Sequence, residues 1–259
     1  MECLDEGRVI GTARGRTYRV RAIVLDKTKL KETDLILTLL ADSGRQIRAV
    51  AKGARKPGGR LAARCELGCE IDVLLACGRA LDVVSQAELI AAPLGAAPSF
   101  ELLSAGSAVV EVAERCSFED ADDPFAFAIT AAVLQELGAA DAAHLDVLVA
   151  AYVFKLLSHL GYRPDVAACV ACADEDVTHF SALAGGLVCA SCAATVPGAE
   201  RIEPTLVAWL RALMGLRLAE LAAAPVEAQV AARLLALAHV WAATHLDARL
   251  RALEFMLGR

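Results

Sequence analysis

Residues 16–52 read RTYRVRAIVLDKTKLKETDLILTLLADSGRQIRAVAK, and this stretch decides the fold. Arg16–Asp26 alternates Tyr18, Val20, Ala22 and Val24 against Arg19 and Arg21, the two-residue period of a half-buried strand. Leu35–Asp42 is a continuous apolar run that stops at Ser43-Gly44, a turn signal. Arg45–Lys52 then sets Ile47, Ala49 and Ala51 on one face and Arg48, Val50 and Lys52 on the other. Two more runs, Glu70–Cys77 and Leu81–Ile90, flank Gly78-Arg79-Ala80, a short hairpin-like turn. Five short strands in so small a segment suit a closed barrel, and the five-stranded OB-fold is the common nucleic-acid-binding version.

The pattern changes near residue 98. Ala91–Pro98 is a linker carrying Pro and Gly, and beyond it apolar residues recur at three and four, the helical period. Ser99 caps a helix to about Arg115, Asp123-Pro124 opens another ending near Gly138, and Asp141 opens a third to Leu160. Pro204–Ala223 and Pro225–Leu257 are each expected to form one helix, with Val230, Leu234, Leu237 and Trp241 along one face of the last. The expected class is α+β with more than one domain. An OB-fold barrel occupies 1–92, and an α-helical domain occupies 99–259 with an inserted four-cysteine zinc finger at 165–197.

Composition narrows the function. The 259 residues are 57% hydrophobic, which excludes intrinsic disorder. The first twenty residues hold no apolar core of a secretory signal, and the uncharged stretch 177–199 is broken by Gly, Pro and polar residues. A cytoplasmic protein is expected, with no membrane partner. Its nine Cys then read as thiols or metal ligands rather than disulfides.

The net charge of -6 argues against nucleic acid until it is divided. Residues 1–98 hold 16 Lys+Arg and 12 Asp+Glu, a balance of +4, whereas residues 99–259 hold 10 and 20, a balance of -10. Between Arg8 and Arg64 stand 15 basic residues against four acidic ones, a local +11. The densest part is Lys52-Gly53-Ala54-Arg55-Lys56-Pro57-Gly58-Gly59-Arg60, followed by Arg64. Its Gly and Pro make it a loop, and exposed Lys and Arg on a loop displace counterions from phosphates. The bland reading is a solvated surface loop. A P-loop is excluded, because Gly59-Arg60 stands where Lys and Ser/Thr would be required. Tyr18 is the only aromatic residue before Phe100, so the barrel lacks the stacking platform of ordinary single-strand binders. It should hold nucleic acid through phosphates, with little base preference and steep salt dependence. The candidate contacts are Arg19, Arg21, Arg45, Arg48, Lys52, Arg55, Lys56, Arg60 and Arg64.

Cys169-x2-Cys172, sixteen intervening residues and Cys189-x2-Cys192 match the spacing of a four-thiolate zinc site. Each C-x2-C turn aims two sulfurs at one point, and two such turns close a tetrahedral shell. Four protein ligands leave no open position, so one Zn2+ here would be structural. The alternatives are buried core thiols or a redox C-x-x-C. Cys65-x3-Cys69 reads as core thiols before a second site. His144, His159, His179, His239 and His245 all lie outside the barrel, and no nucleophile elbow, HExxH or dinucleotide motif is present. No catalytic residues are assigned, and the chain is expected not to be an enzyme.

These residues resemble the bacterial RecO (recombination protein O) family. The resemblance lies in Tyr18–Leu25, Lys31–Leu40, Ser43-Gly44-Arg45 with Ala51–Lys56, Gln86–Leu89, the Leu160–Pro164 turn and the two cysteine pairs. It covers about residues 17–195. It implies a non-enzymatic mediator of DNA repair and homologous recombination. Such proteins bind single- and double-stranded DNA and anneal complementary strands. With RecR they help load RecA onto DNA coated by single-stranded-DNA-binding protein. Lys52, Arg55 and Lys56 fall on the family's basic segment and take its DNA-binding role by resemblance. The sequence departs from the family at Gly58-Gly59-Arg60, where many members have a Ser-Arg pair. Rival readings are an RNA- or ribosome-associated OB/zinc binding module, a metal-dependent enzyme, and an adaptor working through its acidic helices.

Overall fold

The computed structural model describes residues 17–55, 61 and 64–258. The chain divides into two compact units, one of residues 1–98 with 110–135, the other of 99–109 with 136–259.

The first unit is a closed five-stranded barrel in the order β1-β2-β3-β5-β4. Its strands are β1 (Thr17–Lys29), β2 (Leu35–Ala41), β3 (Gln46–Ala51), β4 (Glu70–Ala76) and β5 (Asp82–Ala91). β1 serves two neighbours, pairing Thr17–Ile23 with β4 and Ala22–Lys29 with β2. A register shift between Val24 and Asp26 bends it around this corner. Closure is completed by the parallel pairing of β3 with β5 at Ala49↔Asp82 and Val50↔Val83.

The alternation read from the sequence faces as expected. Ala22, Val24, Leu37, Leu39, Ala49, Ala51, Ile71, Val73 and Leu75 fill the barrel, with Tyr18 and Val20 packed against them. Cys65 and Cys69 belong to this core, and burial pushes the Cys65 thiol up to about 11. At the β2–β3 turn, Gly44 has φ +84°, and a Cβ there would lie 1.8 Å from the carbonyl oxygen of Asp123, so no side chain is possible. Residues 110–135 add to this unit the C-terminal part of α1 (Phe100–Cys116) and most of α2 (Pro124–Leu137). The Gln46 side-chain amide donates to the carbonyl of Glu114 at 3.0 Å, and the Gln46 N–H donates to that of Phe118 at 2.9 Å.

The second unit is helical and is built on α3 (Ala142–His159). α3 is long and apolar enough to cross a membrane, but 61% of it is buried, as befits a core helix. It packs against α7 (Ala228–Leu246), where Leu234, Leu237 and Trp241 are buried as the periodicity predicts and Val230 is half-buried. Two expectations are corrected. The single helix expected over 204–223 is α5 (Pro204–Gly215) followed by α6 (Leu218–Ala223). Two bonds stabilise the break: Glu220 accepts the Arg217 backbone N–H at 2.7 Å, and Lys155 donates to the Leu216 carbonyl at 2.7 Å. The helix expected over 225–257 is α7 followed by α8 (Arg251–Leu257), separated where Asp247 adopts the left-handed conformation at φ +45°. Between α3 and α5 lies a ribbon absent from the sequence reading, of β6 (Val177–Ser181), β7 (Gly186–Cys189), the short helix α4 (Ala190–Ala193) and β8 (Glu200–Arg201).

Candidate nucleic-acid interface and metal centre

The four cysteines expected to share a metal are brought together. Their sulfurs all lie within 4.8 Å of one another, and Sγ of Cys172 is 3.7 Å from Sγ of Cys189. A tetrahedral ion with metal–sulfur bonds of about 2.3 Å needs sulfur–sulfur edges of about 3.8 Å, so the cluster fits one. Two different turns supply it. In the first, the Cys169 carbonyl accepts the Ala173 N–H at 2.8 Å, and Ala173 takes φ +63° to close the knuckle. In the second, Cys189 ends β7 and caps α4, which carries Cys192 one turn on. Gly186 allows this placement, because a Cβ there would lie 2.2 Å from the carbonyl oxygen of Asp165.

Hydrogen bonding favours negative charge on one sulfur of the cluster, that of Cys169. Backbone N–H groups of Cys189, Ala171 and Cys172 hydrogen-bond the Cys169 sulfur and hold its thiol down at about 6, against the cost of burial. Bonding to the sulfurs of Cys172 and Cys189 pushes Cys192 up to about 12. A cation bound among the four sulfurs would hold them as thiolates.

The barrel cations divide into two sets. Arg19 pairs with Asp72 at 3.1 Å, Arg21 with Glu70, and Arg45 makes two parallel 3.0 Å bonds to Asp122. Arg21 also lies over the Phe127 ring, 5.6 Å from its centroid. Arg48 is exposed and opposes the upward shift that burial imposes on Glu114. The Arg64 guanidinium is fixed to the Ala87 carbonyl at 2.7 Å.

Lys52 and Arg55 are exposed on the β3–β4 loop. This loop is fastened to the β1–β2 loop by three bonds. The Gly53 N–H donates to Asp34 Oδ1 at 2.8 Å, the Arg55 N–H to the Thr33 carbonyl at 3.0 Å, and the Arg55 guanidinium to the Glu32 carbonyl at 3.0 Å. The joined surface therefore also carries exposed Lys29 and Lys31, which the sequence reading did not single out. The signal available for them was Lys27, Lys29 and Lys31 at alternate positions ahead of a strand. Lys56 and Arg60 lie outside the described residues. Tyr18, the barrel's lone aromatic candidate, donates its hydroxyl to Asp82 and packs on the barrel core.

Two family models divide the chain between them. The recombination protein O N-terminal model matches residues 16–93, and the recombination protein O C-terminal model matches residues 97–254. The chain belongs to the recombination protein O family. It is similar to the DNA repair protein RecO of Bifidobacterium longum (strain DJO10A), with 34% identity over 244 residues, 92% of this chain and 98% of that one. The RecO of Roseiflexus (strain RS-1) is 36% identical over 183 residues, 70% of this chain and 64% of that one. That of Cutibacterium acnes is 33% identical over 206 residues, covering 76% and 82%. The recombination protein O family is one of DNA repair and recombination, whose partners are DNA and other recombination proteins. The N-terminal match spans every barrel cation named above, and the C-terminal match spans the four cysteines.

Proposed function

We propose that this chain is a non-enzymatic recombination mediator of the cytoplasm and nucleoid. It binds single- and double-stranded DNA mainly through phosphates and anneals complementary strands. With RecR it helps load RecA onto DNA coated by single-stranded-DNA-binding protein. The observation that carries the DNA-binding reading is the fastening of the β1–β2 and β3–β4 loops into one surface bearing Lys29, Lys31, Lys52 and Arg55. Annealing requires that repulsion between two phosphate backbones be neutralised while the bases stay open for pairing. A cationic barrel whose single early aromatic is engaged in its own core suits that task. Family membership supports the reading of the partner proteins. The ion at Cys169, Cys172, Cys189 and Cys192 is one Zn2+, held by four thiolates in a structural role, as the sulfur-only donor set favours.

The deciding experiment anneals complementary oligonucleotides coated with single-strand-binding protein. Wild type should accelerate pairing, and a Lys52→Ala, Arg55→Ala double variant should lose most of that acceleration. No acceleration by wild type would remove the mediator reading. Tighter binding to RNA than to single-stranded DNA in direct competition would replace it with an RNA-binding one.

A further inference from the structure

Asp34 stands among the cations of the proposed interface, where a carboxylate should repel phosphate. We infer that Asp34 is the positioning residue of this interface. By binding the Gly53 amide it locks the loop of Lys31, which follows Lys29 at the end of β1, against the loop of Lys52 and Arg55, so that the four cations engage a phosphate backbone together. The inference rests on the DNA-binding reading above and names the group that sets the spacing of its cations.

The bonds around Asp34 support this. Its main-chain carbonyl accepts the Leu30 N–H at 3.2 Å and closes the β1–β2 loop on itself. Its carboxylate accepts the Thr33 hydroxyl at 3.2 Å within the loop and the Gly53 N–H at 2.8 Å from the neighbouring loop. Gly53 has φ +65°, the left-handed region that a side chain disfavours. The two bonds donated by Arg55 to Thr33 and Glu32 lie beyond this anchor and need the same register. The Gly53 amide is also the largest influence holding the Asp34 carboxyl below its ordinary range, with Lys31 and Lys52 acting in the same direction. Without the anchor each loop would carry its cations independently. Ordering them on DNA would then cost conformational entropy at binding, and fewer phosphates would be neutralised at once.

The sign of the expected effect separates positioning from plain electrostatics. Removing a negative charge beside phosphate should tighten binding, whereas removing the anchor should loosen it. Binding of a labelled single-stranded oligonucleotide is measured by fluorescence anisotropy across a salt series for wild type, Asp34→Ala, Asp34→Asn, Asp34→Glu, Lys52→Ala and Arg55→Ala. Asp34→Ala should bind about 3- to 10-fold more weakly at moderate salt and lower the log–log salt slope by about 1. Asp34→Asn keeps an oxygen for the Gly53 amide and should bind within about twofold of wild type, or more tightly, with the slope restored. Asp34→Glu keeps the charge but displaces the carboxylate, and should resemble Asp34→Ala. Binding by Asp34→Ala or Asp34→Glu as tight as wild type, with unchanged slope, overturns the inference. If Asp34→Ala does not fold, the contrast between Asn and Glu decides it. If Lys52→Ala and Arg55→Ala leave binding unchanged, these loops are not the DNA interface, and that reading falls together with the role of Asp34. Weakening by those two variants alone overturns only the role of Asp34.

Discussion

His144 shows what one side chain can fix in the helical unit. Its Nδ1 lies 2.7 Å from Asp141 Oδ1 and its Nε2 lies 3.0 Å from the Ala224 carbonyl. Both neighbours are acceptors, so satisfying both requires two N–H donors, which only the imidazolium has. The bond to Asp141 accordingly raises the His144 pKa, and the same bond with the backbone N–H of His144 lowers that of Asp141. A raised histidine pKa contributes stability that is complete below its ordinary value near 6.5 and is lost as pH rises through the raised value. Thermal unfolding should therefore show a loss of stability across that upper window, kept small because the Asp141 carboxylate is largely exposed. The loss should vanish in His144→Ala. A melting temperature in wild type that rises from pH 6 to pH 8 would contradict it. At this scale some features were legible and others were not. Ser43-Gly44 could be read as a turn, because φ > 0 is a local demand. The closeness of Gly44 to Asp123 could not, because it joins residues 79 apart in sequence.

Among the elements, the strands and caps were legible because their signals are local and periodic. Ser99 accepts the Leu102 N–H at 3.2 Å, and Asp141 accepts that of His144 at 3.0 Å, as cap residues should. The breaks at Leu216–Arg217 and Asp247 were not legible, since one is fixed by Lys155 on another helix and the other by a single backbone rotation. β6, β7 and β8 are five, four and two residues long, too short to show a period. For the interface, the sequence showed where basic residues gather but not which are already neutralised. That difference is measurable. Lys52→Ala and Arg55→Ala should each reduce the salt slope of DNA binding by about 1, because each removes a charge available to phosphate. Arg19→Ala, Arg21→Ala and Arg45→Ala should each change it by less than half as much, since Asp72, Glu70 and Asp122 already hold those charges. Equal slope changes across the five variants would show that the ion pairs open when DNA binds.

For the whole molecule, the charge division read from the sequence at residue 98 does not follow the compact units, because residues 110–135, with one basic and six acidic residues, belong with the barrel. The cationic barrel has its own closed core. The cysteine ribbon has a separate small one, of Cys169, Val188 and Cys189 with Val170, Val177 and Val196 around them. With an ion held as proposed, stripping it with a chelator, or changing Cys172 to Ser, should lower the melting temperature of the helical unit by roughly 5–10 °C, the scale expected when about 2 kcal/mol is lost from a unit of this size. The salt slope of DNA binding should stay as it was. A slope that fell with the metal would give the ion a direct part in holding DNA. The same layout divides the optical signals. Both tryptophans, Trp209 and Trp241, belong to the helical unit, and the barrel strands contain none. Trp241 has ring contacts with Phe154 of α3, Phe180 of β6 and His245, and its indole N–H donates to the Tyr162 carbonyl. Emission under red-edge excitation thus reports on the helical unit, and the Trp241 share of it is a native gauge of how the ribbon seats on the helices. The barrel strands stay dark at that wavelength, and a single tryptophan introduced there would report on added nucleic acid against a background that the other unit alone supplies.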